Sequence, residues 1–298
     1  MTFDLDKVRA DFPILSEQIH GNRLVYLDSG ASAQKPLAVL DRMDYAHRHE
    51  YANVHRGLHT LANRATEAYE GGRQRVRKFL NAARNEEIIF TKGATEAINL
   101  VASSFAAPRI KEGDEIVVSV MEHHSNIVPW HFLRERQGAV LKWIDVRDDG
   151  SLDMDAFAAS LGERTKMVAI THMSNVLGTV NPIAEIIALA HARGIPVLID
   201  GSQGAVHEKV DVQALDADFY VFTGHKLYGP NGIGVLWPAV KSKGFVRALR
   251  HMRATHYNLY PSLSKRVSNE IRPCDHAGHR SDADETDILV QAILDKFR

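Results

Sequence analysis

One cysteine, Cys274, stands in a chain of 298 residues. A single thiol cannot build an internal disulfide framework, and it fits a reducing compartment. Long apolar runs are missing as well: no stretch approaches the ~20 residues that a membrane-spanning helix needs. The start, Met1-Thr-Phe-Asp-Leu-Asp-Lys-Val-Arg9, is acidic and amphipathic and has no signal-peptide apolar core. Nor is there a surplus of charge. Thirty-six Lys and Arg against 37 Asp and Glu leave a net −1, so the chain as a whole has no electrostatic bias toward nucleic acid or membrane. The expectation is a cytoplasmic protein that spans no membrane and binds no nucleic acid. Internal repeats and low-complexity segments are also absent.

What is present reads as a globular enzyme-sized chain. Hydrophobic residues make up 45% and charged residues 24%, enough to build a large α/β domain with a smaller partner. Histidines are many, and His47, His49, His55 and His59 lie near one another. They lack acidic or cysteine partners at ligand spacing, so no metal site is expected. Arg23 to Leu27 reads as a short strand ending in the turn Asp28-Ser-Gly30. Helical patterns follow at about 36–49 and 61–81. From Glu87 onward, apolar strands alternate with helices: strands at 87–91, 115–120, 140–144, 167–171, 196–199, 219–222 and 232–237, with helices between most of them. Continuous apolar strands alternating with helices imply an α/β fold with a mostly parallel sheet covered on both faces. Ligands in such sheets bind beyond the carboxyl ends of the strands.

The polar motifs fall at those ends. Ile195-Pro-Val-Leu-Ile-Asp200 places an acid after one strand, with Gln203 three residues on; Asp218-Phe-Tyr-Val-Phe-Thr-Gly-His-Lys226 places a lysine after another. An acid and a lysine so placed are the minimum needed to hold pyridoxal 5'-phosphate. The lysine amine condenses with its aldehyde, and the carboxylate keeps the pyridine nitrogen protonated so that the ring acts as an electron sink. Thr223 and His225 beside Lys226 suit a phosphate anchor. Gly93-Ala94-Thr95 opens a helix, where unpaired backbone amides and the Thr95 hydroxyl suit a phosphate, or where Thr95 is a plain cap. In Glu122-His123-His124, one imidazole suits stacking on the ring and proton movement, or serves as a cap. Asn175 suits a donor to cofactor or substrate, or a turn residue before Gly178.

Taken together, these stretches resemble the fold-type I, class V aminotransferase group, and within it the SUF-system (group II) cysteine desulfurases. The matching segments include Val8-Arg-Ala-Asp-Phe-Pro13, Ala31-Ser-Ala-Gln-Lys-Pro36, Val54-His-Arg-Gly57, Gly93-Ala-Thr-Glu96, Met121-Glu-His-His124 and Asn126-Ile-Val-Pro-Trp130. They continue through Ser174-Asn-Val-Leu-Gly178, Val210-Asp-Val-Gln-Ala-Leu215 and Gly224-His-Lys-Leu-Tyr-Gly-Pro230. The resemblance implies a seven-stranded, mostly parallel sheet in a large domain over 1–238, working as a homodimer. It implies Lys226 as the Schiff-base lysine, Asp200 on the pyridine nitrogen, Gln203 on the phenolic oxygen and His123 stacked on the ring and catalytic with Lys226. Ala94, Thr95, Thr223 and His225 would hold the phosphate, Asn175 would orient cofactor and substrate, and His55 and Arg56 would border the entrance. The implied reaction takes L-cysteine, or selenocysteine, to alanine, with sulfur passing through a cysteine persulfide to a SufE-type acceptor for iron–sulfur cluster assembly.

Residues 239–298 depart from that group. From Ala239 to Arg280 nine Lys and Arg stand against only Glu270 and Asp275, and strand patterns vanish. The group's Arg-x-Gly-His-His-Cys loop has as its nearest counterpart Arg272-Pro-Cys-Asp-His-Ala-Gly-His-Arg280, with the residue types in another order. This implies a truncated small domain with impaired turnover, in which Cys274 is the sole candidate thiolate. Two alternatives stay open: another class V aminotransferase or lyase, such as a selenocysteine lyase, and a catalytically dead, dimerising scaffold.

Overall fold

The computed structural model describes residues 4–55 and 57–239. Arg56 and residues 240–298, with Cys274, lie outside the described residues.

In chain order the helices are α1 (Leu5–Ala10), α2 (Leu37–His49), α3 (Thr60–Phe79), α4 (Ala94–Val101), α5 (Val128–Gln137), α6 (Met154–Ser160), α7 (Ile183–His191), α8 (Gly204–His207) and α9 (Val212–Leu215). The strands are β1 (Gln18–Ile19), β2 (Asn22–Arg23), β3 (Ile89–Thr91), β4 (Glu115–Ser119), β5 (Val140–Ile144), β6 (Thr165–Thr171), β7 (Val197–Asp200), β8 (Phe219–Thr223) and β9 (Gly234–Pro238). Seven of them form one sheet in the order β3-β9-β8-β7-β6-β4-β5. The strands from β8 to β5 pair in parallel, and β9 runs antiparallel to both its neighbours. The architecture is the α/β, mostly parallel, seven-stranded sheet of the fold-type I enzymes. No helix among the described residues is long and apolar enough to cross a membrane.

Burial on both faces explains the continuous apolar strands. Side chains alternate across a strand, so in β4 Ile116 and Val118 enter one cluster while Val117 enters the other; in β6 Met167 and Ala169 oppose Val168 and Ile170. The first face is closed by Ala97, Ile98 and Val101 of α4 with Trp130 and Leu133 of α5. The second is closed by Val76, Phe157 and the stripe Ile183, Ile186, Ile187 and Ala190 of α7, whose spacing puts all four on one side of a helix. Truncating one such isoleucine to alanine costs about 2–5 kcal/mol. α5 stops at Gly138, whose φ of +71° is left-handed and where a Cβ would meet Glu112 Cγ at 2.8 Å, so only glycine turns the chain there.

One expected strand is corrected. Arg23 to Leu27 ends in the apolar run Leu24-Val-Tyr-Leu27, but only Asn22–Arg23 pairs, in a two-residue hairpin with Gln18–Ile19. Beyond Leu24, whose N–H donates to the Glu17 carbonyl at 3.0 Å, no strand among the described residues pairs with this segment, and Val25 and Leu27 are exposed at 73% and 91%. An apolar run without a pairing partner does not make a strand. Two short helices, α8 and α9, were not legible as separate elements. After α4 the chain continues in a wider turn, with the Ala107 N–H donating to the Ala102 carbonyl five residues back.

Candidate active site

Five parallel-running segments end on one rim, and the loops that follow them enclose an open cleft of about 1150 Å³. β3 delivers Ala94 and Thr95 at the start of α4; β4 delivers His123; β6 delivers Asn175; β7 delivers Asp200 and Gln203; β8 delivers Thr223, His225 and Lys226. All nine line this cleft. His55 is not among its lining residues. It bonds Glu70 through Nε2 at 3.1 Å, and His59 caps α3 by accepting the Ala62 N–H through Nδ1 at 3.3 Å.

Asp200 is buried at the end of β7, and one of its oxygens, Oδ1, accepts the Ser202 N–H at 2.9 Å. The β6–β7 register sets Thr171 beside it. Lys226 sits in the turn Gly224–Lys226 after β8. Burial lowers the pKa of its amine, and the nearby Asp200 carboxylate offsets part of that shift. A lowered amine pKa makes the neutral, nucleophilic form more accessible near pH 7. His123 is likewise pushed down, by burial first and by Lys226 next, with Asp200 opposing. His225 is lowered by burial and then by Lys226, Lys35 and His123. A positive ring is thus disfavoured at both histidines.

The end of the cleft at α4 has the makings of an anion cradle. No side chain caps α4, so its first amides are open to a ligand. β9 approaches directly beneath: a Cβ on Gly234 would stand 2.5 Å from Gly93 backbone atoms, so a side chain there would displace the loop. His225 Nδ1 is buried with no hydrogen-bond partner among the described residues. A buried ring nitrogen without a partner is costly, and an anionic group bound in the cleft would supply one. Gln203 donates through Nε2 to the Gly30 carbonyl at 2.6 Å, and Ala33 N–H donates to the His225 carbonyl at 3.0 Å. The segment 27–33 is thereby tied over the cleft, and one of the two Gln203 amide hydrogens is engaged. The donor set therefore fits pyridoxal phosphate, with a cradle for phosphate, an acid across the cleft and an amine beside it.

Four contributing residues were given no role from the sequence. Ser202 holds Asp200 through its backbone. Ser125 bonds both Thr95, at 2.7 Å between hydroxyls, and His123. Thr171 lines the cleft, and Glu122 lies behind it, accepting its N–H. Glu122 is fully buried and collects three donors: Ser119 Oγ at 2.5 Å, the Thr171 N–H at 2.9 Å and Asn126 Nδ2 at 2.7 Å. Burial nevertheless pushes its carboxyl up to about 7, with the Asp200 charge adding to the rise and the three donors opposing it. An acid lodged between Met121 and His123 in an otherwise apolar loop entry was the available signal.

Comparisons with known proteins agree with this geometry. A cysteine desulfurase of Dickeya dadantii is 58% identical over 235 residues, 79% of this chain and 57% of that protein. One from Salmonella gallinarum is 56% identical over 237 residues, 80% of this chain and 58% of that protein. The chain spans under two thirds of the length of these curated relatives. The crystal structure of the Escherichia coli cysteine desulfurase CsdA, in its S-sulfonic acid form, superposes with a TM-score of 0.73 at 42% identity, covering 81% of this chain and 59% of the other. The Aminotransferase class-V family model matches residues 25–258, most of the sequence, and the chain belongs to that family.

Proposed function

We propose that the protein is a pyridoxal phosphate-dependent enzyme of the cysteine desulfurase type, within the SUF-system group II branch. The observation that carries this reading is the convergence of Lys226, Asp200 and His123 on one cleft that also holds an uncapped helix start and a His225 Nδ1 with no partner among the described residues. Relatives named cysteine desulfurase at 56–58% identity support it.

The chain's own residues would divide the work as follows. Lys226 supplies the amine that anchors the cofactor aldehyde. Asp200 sits opposite as the charged partner of the pyridine nitrogen, held in place by the Ser202 N–H. Thr95, Thr223, His225 and the Ala94 and Thr95 amides take the phosphate. The second Gln203 amide hydrogen reaches the phenolic oxygen, His123 covers the ring, and Asn175 orients the substrate. When bound, the cofactor supplies an electron sink for cleavage of bonds at the substrate α-carbon.

The substrate of this reading is L-cysteine, or selenocysteine, and alanine is the product. Sulfur leaves as a persulfide and passes to a SufE-type acceptor in iron–sulfur cluster assembly. Cys274, outside the described residues, is the one thiol the sequence offers. Residues 1–238 act as the cofactor-binding domain and 239–298 as a shortened C-terminal segment. A homodimer fits the exposure of Leu27, Leu58 and Val176 on the described surface. The compartment proposed is the cytoplasm.

The test is the visible absorption of the purified chain with pyridoxal phosphate, before and after L-cysteine, followed by sulfide and alanine assays. A cofactor band that Lys226→Ala abolishes and L-cysteine shifts supports the cofactor site. Equal molar sulfide and alanine then support desulfuration. Alanine-free β-elimination or transamination products would move the protein to another class V activity, and no band at saturating cofactor would leave a scaffold.

A further inference from the structure

The loop that carries His123 decides which of its ring nitrogens bears the proton. His123 caps the turn His124–Asn126, and its Nδ1 accepts the Ser125 backbone N–H at 3.2 Å. The Ser125 hydroxyl lies 3.0 Å from the same Nδ1 and 2.7 Å from Thr95 Oγ1. A backbone N–H can only donate. The nitrogen opposite it therefore presents a lone pair, and the single proton of the neutral ring sits on Nε2. Turning the ring over would set a carbon-bound hydrogen against both Ser125 groups and forfeit both contacts.

We propose that Ser125 is a positioning residue that locks His123 as a neutral, Nε2-protonated hydrogen-bond donor, so that the proton transfers of the reaction fall to Lys226. This rests on the reading of the cleft given above. The chemistry follows from the proton count. Nε2 already carries a hydrogen and has no lone pair in the ring plane with which to accept another. Releasing that hydrogen would leave an imidazolate, out of reach near neutral pH. Accepting a proton at Nδ1 requires the ring to abandon the Ser125 N–H. His123 therefore orients and donates, and does not shuttle.

The charges around the ring agree. Burial, Lys226 from the turn after β8 and His124 from its own turn all oppose a positive His123, and only Asp200 from β7 favours one. His225, the other histidine that senses His123, is itself held toward neutrality. The Thr95–Ser125 contact adds a mechanical consequence. It links the start of α4, where the phosphate would sit, to the ring-covering imidazole, so both ends of the cleft share one hydrogen-bonded chain.

The decisive measurement is the imidazole nitrogen NMR spectrum of the full-length chain labelled at histidine, recorded as purified and again with added pyridoxal phosphate. The His123 signals are identified by their loss in His123→Gln. The expected spectrum at neutral pH has an unprotonated Nδ1 and a protonated Nε2, and the ring becomes charged only at lower pH than an unrestrained imidazole. In Ser125→Pro, which removes the amide donor and the hydroxyl, His123 gains an Nδ1 proton and titrates about one pH unit higher. Ser125→Thr keeps both donors and the parent spectrum. A ring protonated on Nδ1 in the parent chain overturns the proposal, as does a Ser125→Pro variant that titrates like the parent. If Ser125→Pro does not fold, the parent and Ser125→Thr spectra decide alone. Failure of the cofactor reading registers separately, as the lack of a visible band, and leaves the cofactor-free spectrum valid.

Discussion

At the amino-terminal rim of the sheet, charged residues are matched among themselves. Glu115 at the start of β4 meets Lys142 Nζ at 2.8 Å and the Thr165 hydroxyl at 3.1 Å, and Asp218 before β8 accepts both the Val197 N–H at 2.8 Å and His191 Nε2 at 2.9 Å. The Glu115 carboxyl lies below its ordinary range: burial pushes it up, but the Lys142 and Thr165 bonds together push it further down. At the carboxyl-terminal rim the same residue types are left facing a cleft. Lys226 and His123 are pushed toward their neutral forms, and His225 Nδ1 has no partner among the described residues; Glu122, buried behind the cleft, keeps three donors and is still pushed up to about 7. Parallel strands produce this asymmetry because their carboxyl ends open into loops that need not pack. A rim that satisfies its charges contributes stability, and a rim that withholds partners keeps them for a ligand.

Substitutions on the two rims should therefore separate function from stability. The largest effect is expected at Lys226. Lys226→Ala removes the visible cofactor band and lowers alanine formation by about 10²–10⁴-fold or beyond, while denaturant unfolding stays within about 0.5 kcal/mol of the parent. Unfolding with an equally large loss of stability would place Lys226 among the structural residues instead.

Glu122 tests whether the working rim stores strain. Its carboxyl pKa is raised in the fold from 4.5 to about 7. The folded state thus holds the proton more tightly than the unfolded chain. The sign follows: the contribution of this group is intact below about pH 4.5 and is lost as pH rises toward 7, by about 3 kcal/mol in all. Urea midpoints of the parent minus those of Glu122→Gln should fall across that window. A difference that stays flat or rises with pH would show that Glu122 is charged throughout.

A smaller effect is expected for Asp200→Asn, which should weaken retention of pyridoxal phosphate by about 10- to 100-fold, the value of about 1.5–3 kcal/mol for a hydrogen bond to a charged group. Fluorescence titration with the cofactor measures it. Unchanged affinity would remove Asp200 from the site. The smallest belongs to the opposite rim. Glu115→Ala should cost about 1–2 kcal/mol of stability by removing the carboxylate acceptor of Lys142 and the Thr165 hydroxyl, which keep only the Ser160 carbonyl to donate to, with cofactor affinity unchanged. A drop in cofactor affinity there would erase the distinction between the rims.

Much of the sheet could be read from the chain because burial on both faces leaves a local mark. Val140–Ile144 and the ends of β6, β7 and β8 fall within about two residues of the apolar runs, and the polar residues that follow those runs mark the rim. Val25 and Leu27 misled for the same reason: an apolar run is local, whereas pairing needs a neighbour. Strand order was beyond reach of local pattern, since β9 enters between β3 and β8 with the residues of five other strands intervening in sequence.

By itself the sequence determined which residue types stand at the strand ends, Asp200, Lys226, His123 and Thr95 among them, because strand length and apolar period are written residue by residue. Only the tertiary structure decided that these ends share one cleft, that Glu122 is buried beneath it against three donors, and that Ser125 joins Thr95 to His123. Those contacts cross tens of residues of chain, and their energies depend on burial and orientation that no local pattern specifies.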